Sequence, residues 1–121
     1  MIVICGLPNA GKTTYSARYE NVVHYDDLGM TTAQRHNYLK EIVENDEKIV
    51  CEGVFGEHKM REDLCRSATG RKTCIWIDTP ADVCRQRENR GRPTAIVDVH
   101  EKMFQPPTLD EGWDEIVVVK G

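Results

Sequence analysis

Long apolar runs are missing from this 121-residue chain; the longest is far too short to cross a bilayer, so no membrane span is expected. C-x-x-C spacing is missing as well, although there are five cysteines, Cys5, Cys51, Cys65, Cys74 and Cys84. Structural zinc and a redox dithiol are therefore unsupported. Cys5, Cys51 and Cys74 fall in apolar runs, where a free thiol behaves as a small buried hydrophobe, and reduced core cysteines fit the cytoplasm. No basic leader precedes the first apolar run, so no secretory signal is expected. Positive charge is not in excess: 16 Lys and Arg stand against 20 Asp and Glu, for a formal charge of −4. That argues against a broad sequence-blind clamp on nucleic acid and leaves room for a local basic patch. Neither an internal repeat nor a low-complexity segment is present, and the one linker-like piece, residues 105–112, is too short to separate domains. A single domain over residues 1–121 is expected.

What is present is an alternation of apolar runs and helix-period stretches. Hydrophobic residues make up 40% and charged residues 30%, enough for one modest core. Ile2-Val3-Ile4-Cys5 reads as a strand covered on both faces. Further strands are expected at residues 22–25, 48–51, 73–77 and 115–119. Between them the pattern predicts helices over 13–19, 32–44 (capped by Thr31 or Thr32), 57–68, 81–90 and 97–104. Thr79-Pro80 reads as an N-cap followed by a proline at the first helical position. The β-α-β-α order implies an α/β domain with a parallel sheet and helices on both faces.

Gly6 to Thr13 spells G-x-x-x-x-G-K-T, after an expected strand and at the start of an expected helix, the context this motif requires. Glycines let backbone wrap a phosphate without Cβ clashes. Loop N–H groups converge on the anion, and the helix start adds partial positive charge. The cradle is read as Gly6, Leu7, Pro8, Asn9, Ala10, Gly11, Lys12, Thr13 and Thr14. Lys12 would reach the β- and γ-phosphates, and the Thr13 hydroxyl would ligate Mg²⁺. The expected cofactors are ATP and Mg²⁺. A chain this short favours a small kinase over a motor or switch protein.

Asp26 and Asp27 end the second strand, where ligands gather in a parallel sheet. A carboxylate there can orient or deprotonate an attacking hydroxyl, while the plainer role is a solvated turn. Glu52 and Asp78 end the third and fourth strands, and either can serve the metal through water. Arg85, Arg87, Arg90 and Arg92 crowd one short segment, the densest basic cluster in the chain. Planar guanidinium groups suit phosphate recognition, and the plainer role is a solvated helix face paired with Asp82 and Glu88.

Together these pieces resemble the kinase domain of phage-type polynucleotide kinases and related small P-loop kinases. The resemblance runs through "GLPNAGKT", "HYDD", "IVCEGVFGEHKMRE", "IDTPADVCRQRENRGR" and "EGWDEIVVV", nearly the whole chain. It implies a five-stranded sheet of order 2-3-1-4-5 and places the acceptor-site aspartate at Asp26. Lid arginines fall at Arg87 and at Arg90 or Arg92. Leu28-Gly29-Met30 stand where such kinases often carry an arginine, and Glu52 where they usually have aspartate. The implied activity is transfer of the ATP γ-phosphate to a hydroxyl of nucleic acid, either a 5′ end or a 5-hydroxymethyl group on a modified pyrimidine of phage DNA. The cytoplasm, of the host if the chain is phage-encoded, is the implied setting. A small-metabolite kinase of the gluconate or nucleoside type and a non-catalytic nucleotide-binding module are the alternatives.

Overall fold

The computed structural model describes residues 1–87 and 95–121. Five strands form one all-parallel sheet: β1 (Ile2–Cys5), β2 (Val23–His24), β3 (Val50–Glu52), β4 (Thr73–Asp78) and β5 (Glu115–Lys120), in the order β2-β3-β1-β4-β5. The helices are α1 (Lys12–Ser16), α2 (Thr32–Asn45), α3 (His58–Ser67), α4 (Ala81–Gln86) and α5 (Ala95–Met103). The α/β class, the parallel sheet and the strand order expected from the sequence are all present. Among the described residues no helix is long and apolar enough to cross a membrane.

β1 is central because it can be covered on both faces. Val3, Ile4 and Cys5 are fully buried, and consecutive side chains go to opposite sides of the sheet. Val3 and Cys5 join one core cluster with Leu39 and Val43 of α2 and Leu64 of α3. Ile4 joins the other, with Ala10, Cys84 of α4 and Val97 of α5. The five cysteines are free and buried. Burial pushes the Cys51 and Cys65 thiols up to about 12, so they pack as apolar groups.

Several boundaries differ from the sequence reading for local reasons. α1 stops at Ser16 because the chain tightens into three-residue turns, with Arg18 N–H on the Tyr15 carbonyl and Tyr19 N–H on that of Ser16. β2 keeps only two residues, and Tyr25–Asp27 coil into a 3₁₀ turn. The N-cap of α2 is Thr31, in a reciprocal capping box with Gln34. Thr79 is not the N-cap of α4, a position held by Pro80. Its hydroxyl instead donates to the Ala10 carbonyl at 2.7 Å, tying the end of β4 to the loop after β1. α4 ends at Gln86 rather than Arg90, since Arg87 is extended and its guanidinium reaches the Asn9 carbonyl.

One buried network had no periodic signature. Arg61 of α3 is fully buried. Its Nε and Nη2 donate to the two oxygens of Glu111, each at 2.9 Å, and Nη1 donates to the Phe55 carbonyl at 2.6 Å. Trp113 Nε1 and the His58 ring complete the shell around Glu111. Burial alone would raise the Glu111 carboxyl, but hydrogen bonds from Arg61, His58 and Trp113 outweigh it and hold it at about 2. Phe55 itself sits at φ 42, a left-handed conformation costly for an aromatic residue, and Arg61 helps to hold it there.

Arg61→Ala takes the buried guanidinium away from the Glu111 carboxylate, leaving it only the His58 ring, Trp113 Nε1 and the Thr108 N–H, so it should lower unfolding free energy by ~3–5 kcal/mol, the range for breaking a buried ion pair. Urea denaturation measures this, and a loss under ~1 kcal/mol, typical of a surface pair, would reduce the network to an incidental contact. Because the Glu111 pKa is depressed in the folded state, its contribution is present above the unfolded carboxylate range. It is lost as pH falls toward about 2, which acid titration of the wild type should register.

Candidate active site

The loop between β1 and α1 is shaped by two close approaches. At Gly6 (φ 156) an added Cβ would lie 2.8 Å from the Ile77 carbonyl of β4, so only glycine fits. Gly11 takes φ 103 as the N-cap of α1. Between them the Ala10 N–H closes a turn on the Leu7 carbonyl at 3.1 Å, and Asn9 takes φ 66. The loop is fastened from the α4 side as well. Asn9 Nδ2 donates to the Cys84 carbonyl at 3.3 Å, and Arg87 Nη1 to the Asn9 carbonyl at 3.0 Å. α1 is barely more than one turn long, so the cationic character of the loop rests on Lys12 and the loop N–H groups.

Lys12 is buried, and its Nζ donates to the carbonyls of Gly6 at 3.0 Å and Leu7 at 2.7 Å. Burial pushes its pKa down, and the Asp26 and Glu52 carboxylates facing it pull it back up. Lysine and both acids line one cleft although they come from three separate elements. Glu52, at the end of β3, is buried and takes the His24 ring at 2.8 Å through Oε1. It lies in register with Ile4 of β1, which is why this strand end reaches the site. Asp26, in the 3₁₀ turn after β2, accepts the Val54 N–H at 3.0 Å through Oδ2.

These groups line one cleft of about 840 Å³ at the carboxyl edge of the sheet. Its walls carry Pro8, Asn9, Ala10, Gly11, Lys12, Thr13 and Thr14 of the loop, together with Asp26, Asp27, Glu52 and Arg87. Of the sequence-derived candidates, the structure leaves Asp78 outside this lining. Asp78 pairs with Lys120 at 2.6 Å, its neighbour in the β4–β5 register, so ending a strand does not suffice to reach the cleft. Gly6 and Leu7 are also outside the lining and act on the site through their carbonyls, which accept from Lys12 Nζ. Arg90 and Arg92 lie outside the described residues. Arg85 is occupied elsewhere, bridging Asp82, Asp98 and Glu101 and so pinning α4 to α5.

Three basic lining residues escaped the sequence reading: Arg18, Arg35 and His100. Arg18 lies over the Tyr15 ring at 3.7 Å. His100 of α5 has its pKa lowered by burial and by Lys12, against an opposing pull from Asp26. Only their arrival at the sheet edge from three different segments, the turn after α1, α2 and α5, marks them, and spacing does not reveal that.

The donor set bears on the metal. Among the described residues no three His, Cys, Asp or Glu side chains converge on a common point. That fits Mg²⁺, which keeps its waters and takes few protein ligands beside substrate phosphates. The exposed Thr13 hydroxyl and the Glu52 carboxylate, both on the cleft wall, are the groups that would hold it.

No protein-family model matches the sequence, and no curated protein matches it. Solved structures do match. A gluconokinase from Sinorhizobium meliloti 1021 superposes with a TM-score of 0.71 at 18% identity, over 98% of this chain and 81% of that one. A sugar kinase from Janibacter sp. HTCC2649 superposes with a TM-score of 0.67 at 17% identity, over 98% and 83%. With its phosphate-loop motif, its 2-3-1-4-5 parallel sheet and this agreement over nearly its whole length, the chain has the fold of the small P-loop kinases.

Proposed function

We propose that the chain is an ATP-dependent kinase of a small hydroxylated metabolite, of the sugar or polyol kind. The observation that carries this reading is the convergence of the phosphate loop with Lys12, Asp26 and Arg87 on one cleft. Its volume, about 840 Å³, suits a nucleotide with a small acceptor. Asp26, Asp27 and Glu52 make the strand-end side acidic and the formal charge is −4, which disfavours a polyanionic acceptor. The names of the two structural neighbours, a gluconokinase and a sugar kinase, support a small acceptor in place of the nucleic acid suggested by the polynucleotide-kinase resemblance.

In this reading the loop N–H groups and Lys12 hold the β- and γ-phosphates. Arg87 approaches from the end of α4. Asp26 is fixed by the Val54 N–H through one oxygen and uses the other to orient the acceptor hydroxyl. As the hydroxyl oxygen bonds to the γ-phosphorus, its proton passes to Asp26. The bond from that phosphorus to the β–γ bridging oxygen breaks, leaving ADP. Bound Mg²⁺, on Thr13 and Glu52, would neutralise charge on the phosphate oxygens.

Radiolabelled ATP incubated with sugars, sugar acids, polyols, nucleosides and 5′-hydroxyl oligonucleotides tests the proposal. Label should pass to a sugar-like acceptor. Transfer to the oligonucleotide alone would restore the nucleic-acid reading. ATP binding with no transfer to any acceptor would favour a nucleotide-binding module.

A further inference from the structure

Arg35 is placed for a role that phosphate-loop chemistry leaves unfilled. It lies in the N-terminal part of α2 and lines the cleft. Its guanidinium carbon is 5.1 Å from the centre of the Tyr25 ring, the residue before Asp26. Tyr25 and α2 belong to the core cluster on one face of the sheet, while Ala10 of the phosphate loop and Cys84 of α4 belong to the other. Arg35 therefore enters the cleft from the face opposite α4, beside the acid assigned to the acceptor.

Its hydrogen bonding is incomplete. Nη2 makes one long contact, 3.4 Å, with the Thr32 hydroxyl. Nε is buried and has no hydrogen-bond partner. Among the described residues no carboxylate lies within ion-pair distance of Arg35, in contrast to Arg85 with three. A guanidinium offers five donors in a planar fork suited to an anionic oxygen group. A buried charged donor without a partner is costly, and a ligand oxygen removes that cost. The ring of Tyr25 beneath it holds the fork in place.

From this geometry we infer that Arg35 binds an anionic oxygen group, a carboxylate or a phosphate, on the acceptor itself, making Arg35 the residue that selects a small hydroxylated anion over a neutral polyol. The inference rests on the kinase reading of the cleft and adds the chemical class of the acceptor.

The test compares three acceptor sets with wild type, Arg35→Gln and Arg35→Lys: sugar acids, the sugar alcohols of the same chain length, and phosphate monoesters of those alcohols. Wild type should prefer an anionic set, and whether sugar acids or phosphate esters lead identifies the group bound. Arg35→Gln should raise KM for that set roughly 10- to 100-fold, the worth of a charge-assisted hydrogen bond, with a much smaller change in kcat and in the KM for ATP. Arg35→Lys should recover part of the loss. A structural role predicts instead a lowered unfolding midpoint and equal effects on neutral and anionic acceptors. That result, or a wild-type preference for the neutral alcohols, or no change in Arg35→Gln, overturns the inference. If none of the sets is phosphorylated, calorimetric binding of a sugar acid and of a phosphate ester to the chain with ADP and Mg²⁺ decides. Binding weakened by Arg35→Gln upholds the inference, and unaltered or absent binding overturns it. Failure of ATP itself to bind would instead overturn the kinase reading.

Discussion

Asp26→Asn should leave ATP affinity intact and lower kcat by roughly 10²–10⁴-fold, the range for removing a general base. Asparagine keeps the side-chain shape, and its carbonyl oxygen can still accept the Val54 N–H that Oδ2 accepts now. The 3₁₀ turn and the register of β2 on β3 should therefore survive. What the amide cannot do is take a proton from the acceptor hydroxyl. The loss should fall on turnover, because the acceptor and nucleotide contacts made before proton transfer are preserved. Asp27→Asn should cost less, since Asp26 is the acid of the pair that acts on the Lys12 ammonium. Titrating ATP affinity alongside turnover for both variants decides the matter. Normal turnover in Asp26→Asn would remove it from the mechanism. A loss confined to Asp27→Asn would transfer the role to its neighbour.

The parts of this molecule that could be read from the sequence are those with a local signature. The phosphate loop is contiguous, and its glycines are needed for reasons visible in a few residues: Gly6 against the Ile77 carbonyl, Gly11 at a left-handed cap. The strands announce themselves because both faces are covered, as at Val3, Ile4 and Cys5. Of the two acids at strand ends, Glu52 lines the cleft and Asp78 does not, and the register explains both. Glu52 sits beside Ile4, next to the loop, whereas Asp78 sits beside Lys120, which takes its carboxylate.

Features built from distant residues were not legible. Arg61 and Glu111 are fifty positions apart, and neither stands out in an otherwise ordinary pattern of surface charges. Their pairing has a consequence for the site, because Arg61 holds the Phe55 carbonyl and the preceding residue, Val54, supplies the N–H that fixes Asp26. Thr79 looked like a helix cap because serine and threonine before proline commonly are. A carbonyl of the phosphate loop within reach of its hydroxyl outcompeted that local role. Arg35 has no signature of its own in the sequence, and only the turn that brings Tyr25 under it places it in the cleft.

Lys12→Ala should reduce turnover by at least ~10²-fold, the scale for deleting one preorganised electrostatic donor. The ammonium is held in place by the fold itself: it is buried and bonded to the Gly6 and Leu7 carbonyls, at the root of the loop. Charge that builds on the β–γ bridge during transfer meets a cation that needs little rearrangement, and in a buried setting such a cation is worth more than in water. Asp26 and Glu52, which face it, help to keep it charged against the pull of burial. Alanine removes the donor but leaves behind only two carbonyl acceptors, whose remaining needs water can meet. The loop stays fastened by the Thr79 hydroxyl on Ala10, by Asn9 on Cys84 and by Arg87 on Asn9. Folding should therefore change much less than catalysis, and a urea titration run beside the kinetics separates the two. A large fall in stability with turnover per folded molecule preserved would make Lys12 a structural strut of the loop. Near-normal turnover in a fully folded Lys12→Ala would show that the cleft does not use its phosphate loop for transfer, and the kinase reading would fall with it.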